Sequence, residues 1–504
     1  MRRRTVLFAG SAAAVTASLA ACSGGSDDGA GAGASSDTLT LGMTSDIAGW
    51  DVGIIPTYQG WYGDAIYEPL VRRDENADIS PAAAESWEFS DDNTSVTVHL
   101  RSGQTFTDGT PMDTAALQAT LEYVGSLNTR FAGLTFDVAD AQTMTITWPA
   151  PNPLIAMRLG EVRLASAKYL ASGDLDSAPC GAGPYEVDTA NTTRGSVYTF
   201  TRREGYWDPE SYPYDKVVMK VFASDTAGMN ALKTGQIDGC LIPQSSYDEA
   251  NASGLNVIAL QGVTTRLLIT DHLGQKIPAL GNVDVRRAMN MVFDKEAMTK
   301  NLYLGHGKPA SQIFREGSDA YLEDFDDPYP FDVDAAKALM AGAGFANGFD
   351  LQIPTMTGQN HEKLMPYITQ QLALLNIRVE QVPLSGPDAI TNLLSGTYPV
   401  PFWQLGNYGD SLVDIQDYCL TDGLWNVSHQ PDATIDGLWQ EILIGDEEQQ
   451  KAAEQDINRY IVDQAWFVPM VYPDGFYATS KKVSVPHVTD FSALHPNLID
   501  FKKN

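Results

Sequence analysis

Between Asp332 and Leu405 the sequence switches repeatedly between two hydrophobic periods, with only a few residues at each switch. "DVDAAKALMAGAG" has helical spacing and stops at glycine, "FDLQIPTM" has the short apolar character of a strand, and "EKLMPYITQQLALLN" is helical again. "IRVEQVPL" then reads as a strand, "DAITNLLSG" as a helix and "VPFWQLG" as a strand. Strand and helix alternating through short links is the pattern of an α/β lobe with a largely parallel sheet. Ligands of such sheets bind beyond the carboxyl ends of the strands. That rule puts the loop after "VPFWQLG", from Asn407 to Ser411, at the edge of a site.

One such lobe does not account for 504 residues. Single cores stop growing at about 250 to 300 residues, so at least two lobes are expected. Hydrophobic residues make up 43% of the chain and charged ones 19%, enough for a sizeable core. Earlier in the chain, "TSVTVHLRSG" alternates as a half-buried strand does, after the turn chemistry of Asp91-Asp92-Asn93. Asp113 is placed to cap a helix whose positions Ala116, Leu117, Leu121 and Val124 share one face. Ser224 starts another helix that Gly235 stops, ahead of the short strand "CLIP".

The first residues carry an address. Arg2 to Arg4 precede a modestly apolar stretch and then small residues, an export signal rather than a permanent span. Leu19-Ala20-Ala21-Cys22 looks like a bacterial lipobox, in which Cys22 is lipidated and becomes the mature N-terminus. "SGGSDDGAGAGASSD" follows as a flexible tether. The signal therefore occupies 1–21 and the lipidated cysteine with its tether 22–37. Arg3-Arg4-Thr5-Val6-Leu7 resembles a twin-arginine signal, and the same arginines fit general secretion, so both routes stay open. With 33 Lys+Arg against 64 Asp+Glu the net charge is -31, which repels nucleic acid and suits an acidic, solvated coat. Lipidation leaves Cys180, Cys240 and Cys419; Cys180 with Cys240 is the preferred pair if a disulfide forms.

Enzyme signatures are incomplete. Gly409-Asp410-Ser411-Leu412 spells the block that opens a group of secreted serine hydrolases, which would make Ser411 a nucleophile. The late candidates Asp490 and His495 are five apart rather than three, and no base and orienting group are suggested for the serine. His361-Glu362 lacks the second histidine of a zinc helix, because Met365 stands there. Neither a metal nor a cofactor is expected.

Several motifs occur in one order: Tyr67-Glu68-Pro69-Leu70, Pro81 through Ser86-Trp87, Leu100-Arg101-Ser102-Gly103, and Phe106 with Asp108-Gly109-Thr110-Pro111. "GAGPYEV", "REGYWD", "NALKTGQIDG", "NVDVRRAMNMVFDKEAM" and "FDVDAAKALMAGAGFANGF" follow. This series resembles the extracytoplasmic solute-binding proteins of ATP-binding-cassette importers, in the branch that handles oligopeptides, dipeptides and nickel chelates. The resemblance implies a two-lobed, hinged periplasmic-binding-protein-like α/β fold of class II with an extra inserted domain. Its implied division is 38–60, 180–262 and 470–504 for lobe I, 61–179 for the inserted domain and 263–469 for lobe II. It implies a monomeric receptor, held to the membrane by the lipid on Cys22, that captures a short peptide and delivers it to permease subunits. Hallmark positions such as Gly109, Pro111, Gly183, Pro184, buried Trp87 and buried Trp207 are expected to be structural.

In peptide-binding relatives the loop corresponding to Gly406-Asn407-Tyr408-Gly409-Asp410 carries an aspartate that pairs with the ligand's ammonium, a role that falls here to Asp410. Asn407 stands where the family often has tryptophan, and Ser411-Leu412 replaces an aromatic continuation. An Asp capping the following helix is the plain alternative. Further cleft candidates are Tyr58, Trp61, Thr264, Arg266, Trp403, Tyr408 and Tyr472. A receptor for an oligosaccharide, metal chelate or cationic metabolite, and a secreted esterase using Ser411, are the competing readings.

Overall fold

The computed structural model describes residues 37–504 apart from 48, 56–59, 75–77, 176–177, 324, 326, 357–360, 386–388, 407–408 and 490–493. The signal at 1–21, Cys22 and the tether up to residue 36, together with Tyr58, Asn407, Tyr408 and Asp490, lie outside the described residues. Among the described residues no helix is long and apolar enough to cross a membrane.

Two sheets carry the two lobes. The first is a mixed, seven-stranded sheet whose strands lie in the order Tyr185–Val187, Val197–Arg202, Lys216–Val221, Thr38–Met43, Gly239–Ile242, Gly475–Thr479 and Asn256–Leu260. Its centre is parallel: Leu41 stands opposite Met219 on one side and Gly239 on the other. The second sheet orders Gly307–Pro309, Phe467–Pro473, Val263–Leu268 and Phe402–Gly406, all antiparallel. The chain passes between the sheets at 261–262 and again at Asp474. Gln261 Nε2 donates to Asp474 Oδ1 at 2.9 Å, and Gln244 Nε2 donates to the Asp474 carbonyl at 2.7 Å. The first bond ties the two crossings together, and the second ties the return crossing to the turn after Gly239–Ile242.

A third, antiparallel sheet of Ala84–Phe89, Ser95–Leu100, Thr143–Thr147 and Thr135–Val138 is inserted in the chain between the strands Thr38–Met43 and Tyr185–Val187 of the seven-stranded sheet. Its alternating residues Val96, Val98, Met144 and Ile146 belong to the same hydrophobic cluster as Leu39 and Leu41. The inserted segment thus shares a core with the first lobe, as a one-sided antiparallel sheet requires. Asp113 caps the helix Thr114–Leu127, with Ala116, Leu117 and Leu121 buried and Val124 half-buried. Ser224 likewise caps Asp225–Lys233.

The alternation between Asp332 and Leu405 is realised as helix Val333–Gly342, strand Asp350–Met356, helix His361–Ala373, strand Arg378–Leu384, helix Ala389–Leu394 and strand Phe402–Gly406. The expected common parallel sheet needs correction. The first two strands pair in parallel with each other, but the third adds antiparallel to Val263–Leu268, placing Trp403 opposite Arg266. Phe402 packs in one hydrophobic cluster and Trp403 in another on the opposite face, so this strand has to lie between two cores. Period two assigns faces and leaves the partner strand open.

The hallmark motifs meet in space. Glu68 is fully buried and accepts the Trp207 indole N–H at 2.9 Å and the Tyr206 hydroxyl at 2.8 Å, while the Arg101 guanidinium lies 3.8 Å from the Trp207 ring centre. Burial pushes the Glu68 carboxyl up to about 7. Trp87 and Trp207 are half-buried, not fully buried, because each caps the edge of its core. In "GAGPYEV", a Cβ on Gly183 would stand 2.6 Å from the Ile66 carbonyl carbon, so this backbone-to-backbone approach admits only glycine.

All three described cysteines are free and buried. The preferred pair Cys180–Cys240 does not form: Cys180 packs in the large first-lobe cluster and Cys240 in a separate one with Met229 and Phe476.

Candidate functional site

After the strand Phe402–Gly406 the chain turns into the helix Ser411–Tyr418, and Asp410 is its N-cap, with φ −94° and ψ 112°. Asp410 Oδ1 accepts the Leu412 N–H at 2.8 Å. Capping therefore engages one carboxylate oxygen near the positive end of the helix. Burial raises the Asp410 pKa; the Leu412 N–H, Arg158 and Arg73 oppose the rise, and Asp319 adds to it.

Ser411 occupies the first helical position and is buried. Its Oγ accepts the Ala320 N–H at 3.1 Å and donates to the Glu454 carboxylate. That hydroxyl anchors the helix start against two other segments, and no imidazole is among these contacts. His495 packs edge-on against Trp61, its ring centre 6.1 Å away. Burial lifts the Glu454 carboxyl to about 8; the Ser411 hydroxyl works against this, and Asp410 and Asp319 reinforce it.

Facing this helix is the segment around Ile155–Leu159, from the inserted sheet's side of the molecule. Leu154 and Met157 are fully buried in the cluster that holds Trp403, Leu412 and Tyr418, each burial being worth about 1.5 to 3 kcal/mol. Arg158 Nη2 donates to Gln416 Oε1 at 2.6 Å and Nη1 to Glu161 Oε1 at 2.8 Å. Arg130 Nη2 donates to Asp417 Oδ1 at 2.7 Å. Arg73 Nη1 contacts Met157 Sδ. The helix thus carries Asp410 at its start and grips the opposite side through its last turns.

The other candidates from the sequence are spread out. Thr264 and Arg266 are wholly buried, with Arg266 Nη1 donating to the Ile313 carbonyl at 3.3 Å and its guanidinium 4.4 Å from the Tyr418 ring centre. Trp403 packs between Trp425 and His361. Tyr472 donates to the Phe314 carbonyl at 3.1 Å. His361 Nδ1 accepts the Met356 N–H at 3.0 Å, and burial depresses its imidazole to about 4, which fits a core histidine. Among the described residues no group of three or more His, Cys, Asp or Glu could hold a metal. Arg130, Arg158, Gln416, Asp417 and Glu454 carry no local motif that would have marked them; only the i,i+3 spacing of Arg158 and Glu161 hinted at a pair.

Trp61 lines a cavity of about 290 Å³ at the carboxyl ends of the three parallel strands of the seven-stranded sheet. A smaller space of about 60 Å³, lined by Gly60, Asp64, Arg73 and Arg163, shares the wall residue Leu498 with it.

Residues 78–421 match the family described as bacterial extracellular solute-binding proteins, family 5 Middle. The glutathione-binding protein GsiB of Escherichia coli strain K12 is 27% identical over 333 residues, which span 63% of this chain and 63% of that protein. The periplasmic binding protein DppA of Helicobacter pylori, solved with the peptide STSA, is 20% identical with a TM-score of 0.77, covering 92% of this chain and 98% of that one. NikA of Brucella suis, solved with Fe(III)-EDTA, is 21% identical with a TM-score of 0.80, covering 93% and 100%. At these identities the solved structures share the fold.

Proposed function

Because this chain belongs to the bacterial extracellular solute-binding proteins of family 5, we propose that it is a receptor that captures a short peptide between its lobes and delivers it to the permease of an ATP-binding-cassette importer. The observation that carries this reading is Asp410: a half-buried carboxylate, one oxygen spent on the helix cap, beside an almost fully buried Arg158 of the opposing segment. A carboxylate buried further by lobe closure makes a strong charge-assisted bond to an ammonium group. The lobes take the division 38–60, 180–262 and 474–504 against 263–473, with 61–179 inserted; the expected bound at 470 moves to the crossing at Asp474 because Phe467–Pro473 pairs within the four-stranded sheet, and the crossings at 261–262 and Asp474 act as the hinge. Cys22 holds the lipid that keeps the receptor at the outer face of the cell membrane. Ser411, committed to Glu454 and Ala320, is a structural hydroxyl in this reading.

A second reading has its own observation. Arg73 is half-buried and its charge acts on Asp410, and a guanidinium suits a solute rich in carboxylates, such as the chelate in the Brucella structure. Thermal unfolding of the full chain separates the two. A ligand that binds only the folded state stabilises it by about 2.7 kcal/mol at a hundredfold excess over its dissociation constant. Free short peptides should raise the midpoint and N-acetylated ones should not. A response to metal chelates alone would replace the peptide reading with the second one.

A further inference from the structure

The cavity of about 290 Å³ beside Trp61 is walled by Leu41, Met43, Met219, Phe222, Tyr477 and Leu498, with Asp225 and His495 among its few polar groups. The wall is mostly apolar, with Thr44, Ser45, Asp225 and His495 as its polar side chains, and so favours an occupant that is itself mostly apolar; an engineered apolar cavity of about 150 Å³ in another protein takes up benzene. This one would hold an aromatic or branched aliphatic side chain. Two methionines in the wall supply an adaptable surface.

Its position separates it from a packing defect. It lies at the carboxyl ends of the parallel strands Thr38–Met43, Lys216–Val221 and Gly239–Ile242, where open sheets place ligands. Through Leu498 its wall continues into the smaller space that contains Arg73, whose charge acts on Asp410. The cavity belongs to the seven-stranded lobe and Asp410 to the four-stranded one.

We propose that this cavity receives a large apolar side chain of the captured solute, so that the receptor selects short peptides carrying an aromatic or branched aliphatic residue. The selection rests on the peptide reading above. A peptide held by its amine at Asp410 and by its side chain in the cavity bridges both lobes, and so binds the closed arrangement better than an open one.

Gly228 provides the test. It lies on the helix Asp225–Lys233 in the cavity wall, and a Cβ there meets only Cys240, at 3.5 and 3.6 Å, which is ordinary contact. Gly228→Leu should fill the space without backbone strain, and Leu494→Trp fills it from its half-buried rim should the first variant fold poorly. The full chain and the variant are titrated with trialanine, with alanyl-phenylalanyl-alanine and with indole alone. The phenylalanine peptide should bind wild type at least tenfold more tightly than trialanine. The variant should lose that tenfold and keep its trialanine affinity. Indole should raise the unfolding midpoint of wild type and leave that of the variant unmoved. An indole-insensitive wild type that binds both peptides alike overturns the cavity assignment. Indole protection with no response to either peptide keeps the cavity as an apolar site and removes the peptide reading, and silence from all three probes removes both.

Discussion

Arg130 Nη2 donates to Asp417 Oδ1 across 2.7 Å, joining residues 287 positions apart in the chain and closing the inserted segment onto the helix that Asp410 caps. Burial raises the Asp417 pKa and Arg130 counters the rise. The Arg130 side chain keeps 30% of its surface, so solvent screens the pair and its coupling should be about 1 kcal/mol. A double-mutant cycle with Arg130→Gln and Asp417→Asn, followed by denaturant unfolding, should show that coupling at about 0.05 M salt and lose most of it at about 0.5 M. Full additivity at low salt would mean that the pair contributes nothing to closure.

Asp410→Asn separates the cap from the ligand contact. Asparagine caps a helix as well as aspartate does, so stability should change by no more than about 0.5 kcal/mol. Affinity for free-amine peptides should fall at least tenfold, about 1.4 kcal/mol, while N-acetylated peptides bind both forms equally weakly. The pKa of Asp410 is raised, so binding should weaken on acidification already above the ordinary aspartate range. Calorimetric titration across pH checks both; an unchanged affinity in the variant would remove Asp410 from the ligand contact.

Glu454 titrates near 8 in the folded chain against an ordinary 4.5. Between those values the folded state keeps a proton that the unfolded state has lost. The stability contributed by this group is therefore complete below about 4.5 and falls as pH rises through about 8. Glu454→Gln keeps an acceptor for Ser411 and removes the titration, so its unfolding midpoint should hold up where that of wild type drops. The gap at alkaline pH should be on the order of 2 kcal/mol. Thermal melts from acid to alkaline pH measure it, and parallel curves would show that Glu454 is ionised at neutral pH.

Gly183→Ala should destabilise strongly, because its Cβ meets backbone on two sides, 2.6 Å from the Ile66 carbonyl carbon and 2.7 Å from the Ala65 oxygen. A loss above about 2 kcal/mol is expected. Gly228→Ala is the control: its Cβ meets only ordinary contacts, and a helical position gains about 0.5 to 1 kcal/mol from the change. Denaturant midpoints of the two variants should move in opposite directions.

The elements between Asp332 and Leu405 were readable because period and turn chemistry are local, and each helix and strand there lies where the pattern put it. The partner of the strand Phe402–Gly406 was not readable, because Phe402 and Trp403 alternate identically whichever strand they join. The same limit hid the polar contacts around the helix Ser411–Tyr418. The "GDSL" string reads as a nucleophile block or as a helix cap until Ala320 and Glu454, remote in sequence, are seen to occupy the Ser411 hydroxyl. Arg158 likewise looks like an ordinary amphipathic arginine until Gln416 arrives from the other lobe.

The three described thiols bear on what holds the described fold together. Cys180, Cys240 and Cys419 are buried and unlinked, and burial lifts the Cys240 thiol to about 12 and that of Cys419 higher still. Thiols held in the protonated form are poor nucleophiles and resist oxidation. The described fold therefore holds together without a covalent cross-link among these three thiols, and a reductant should leave its unfolding midpoint where it was.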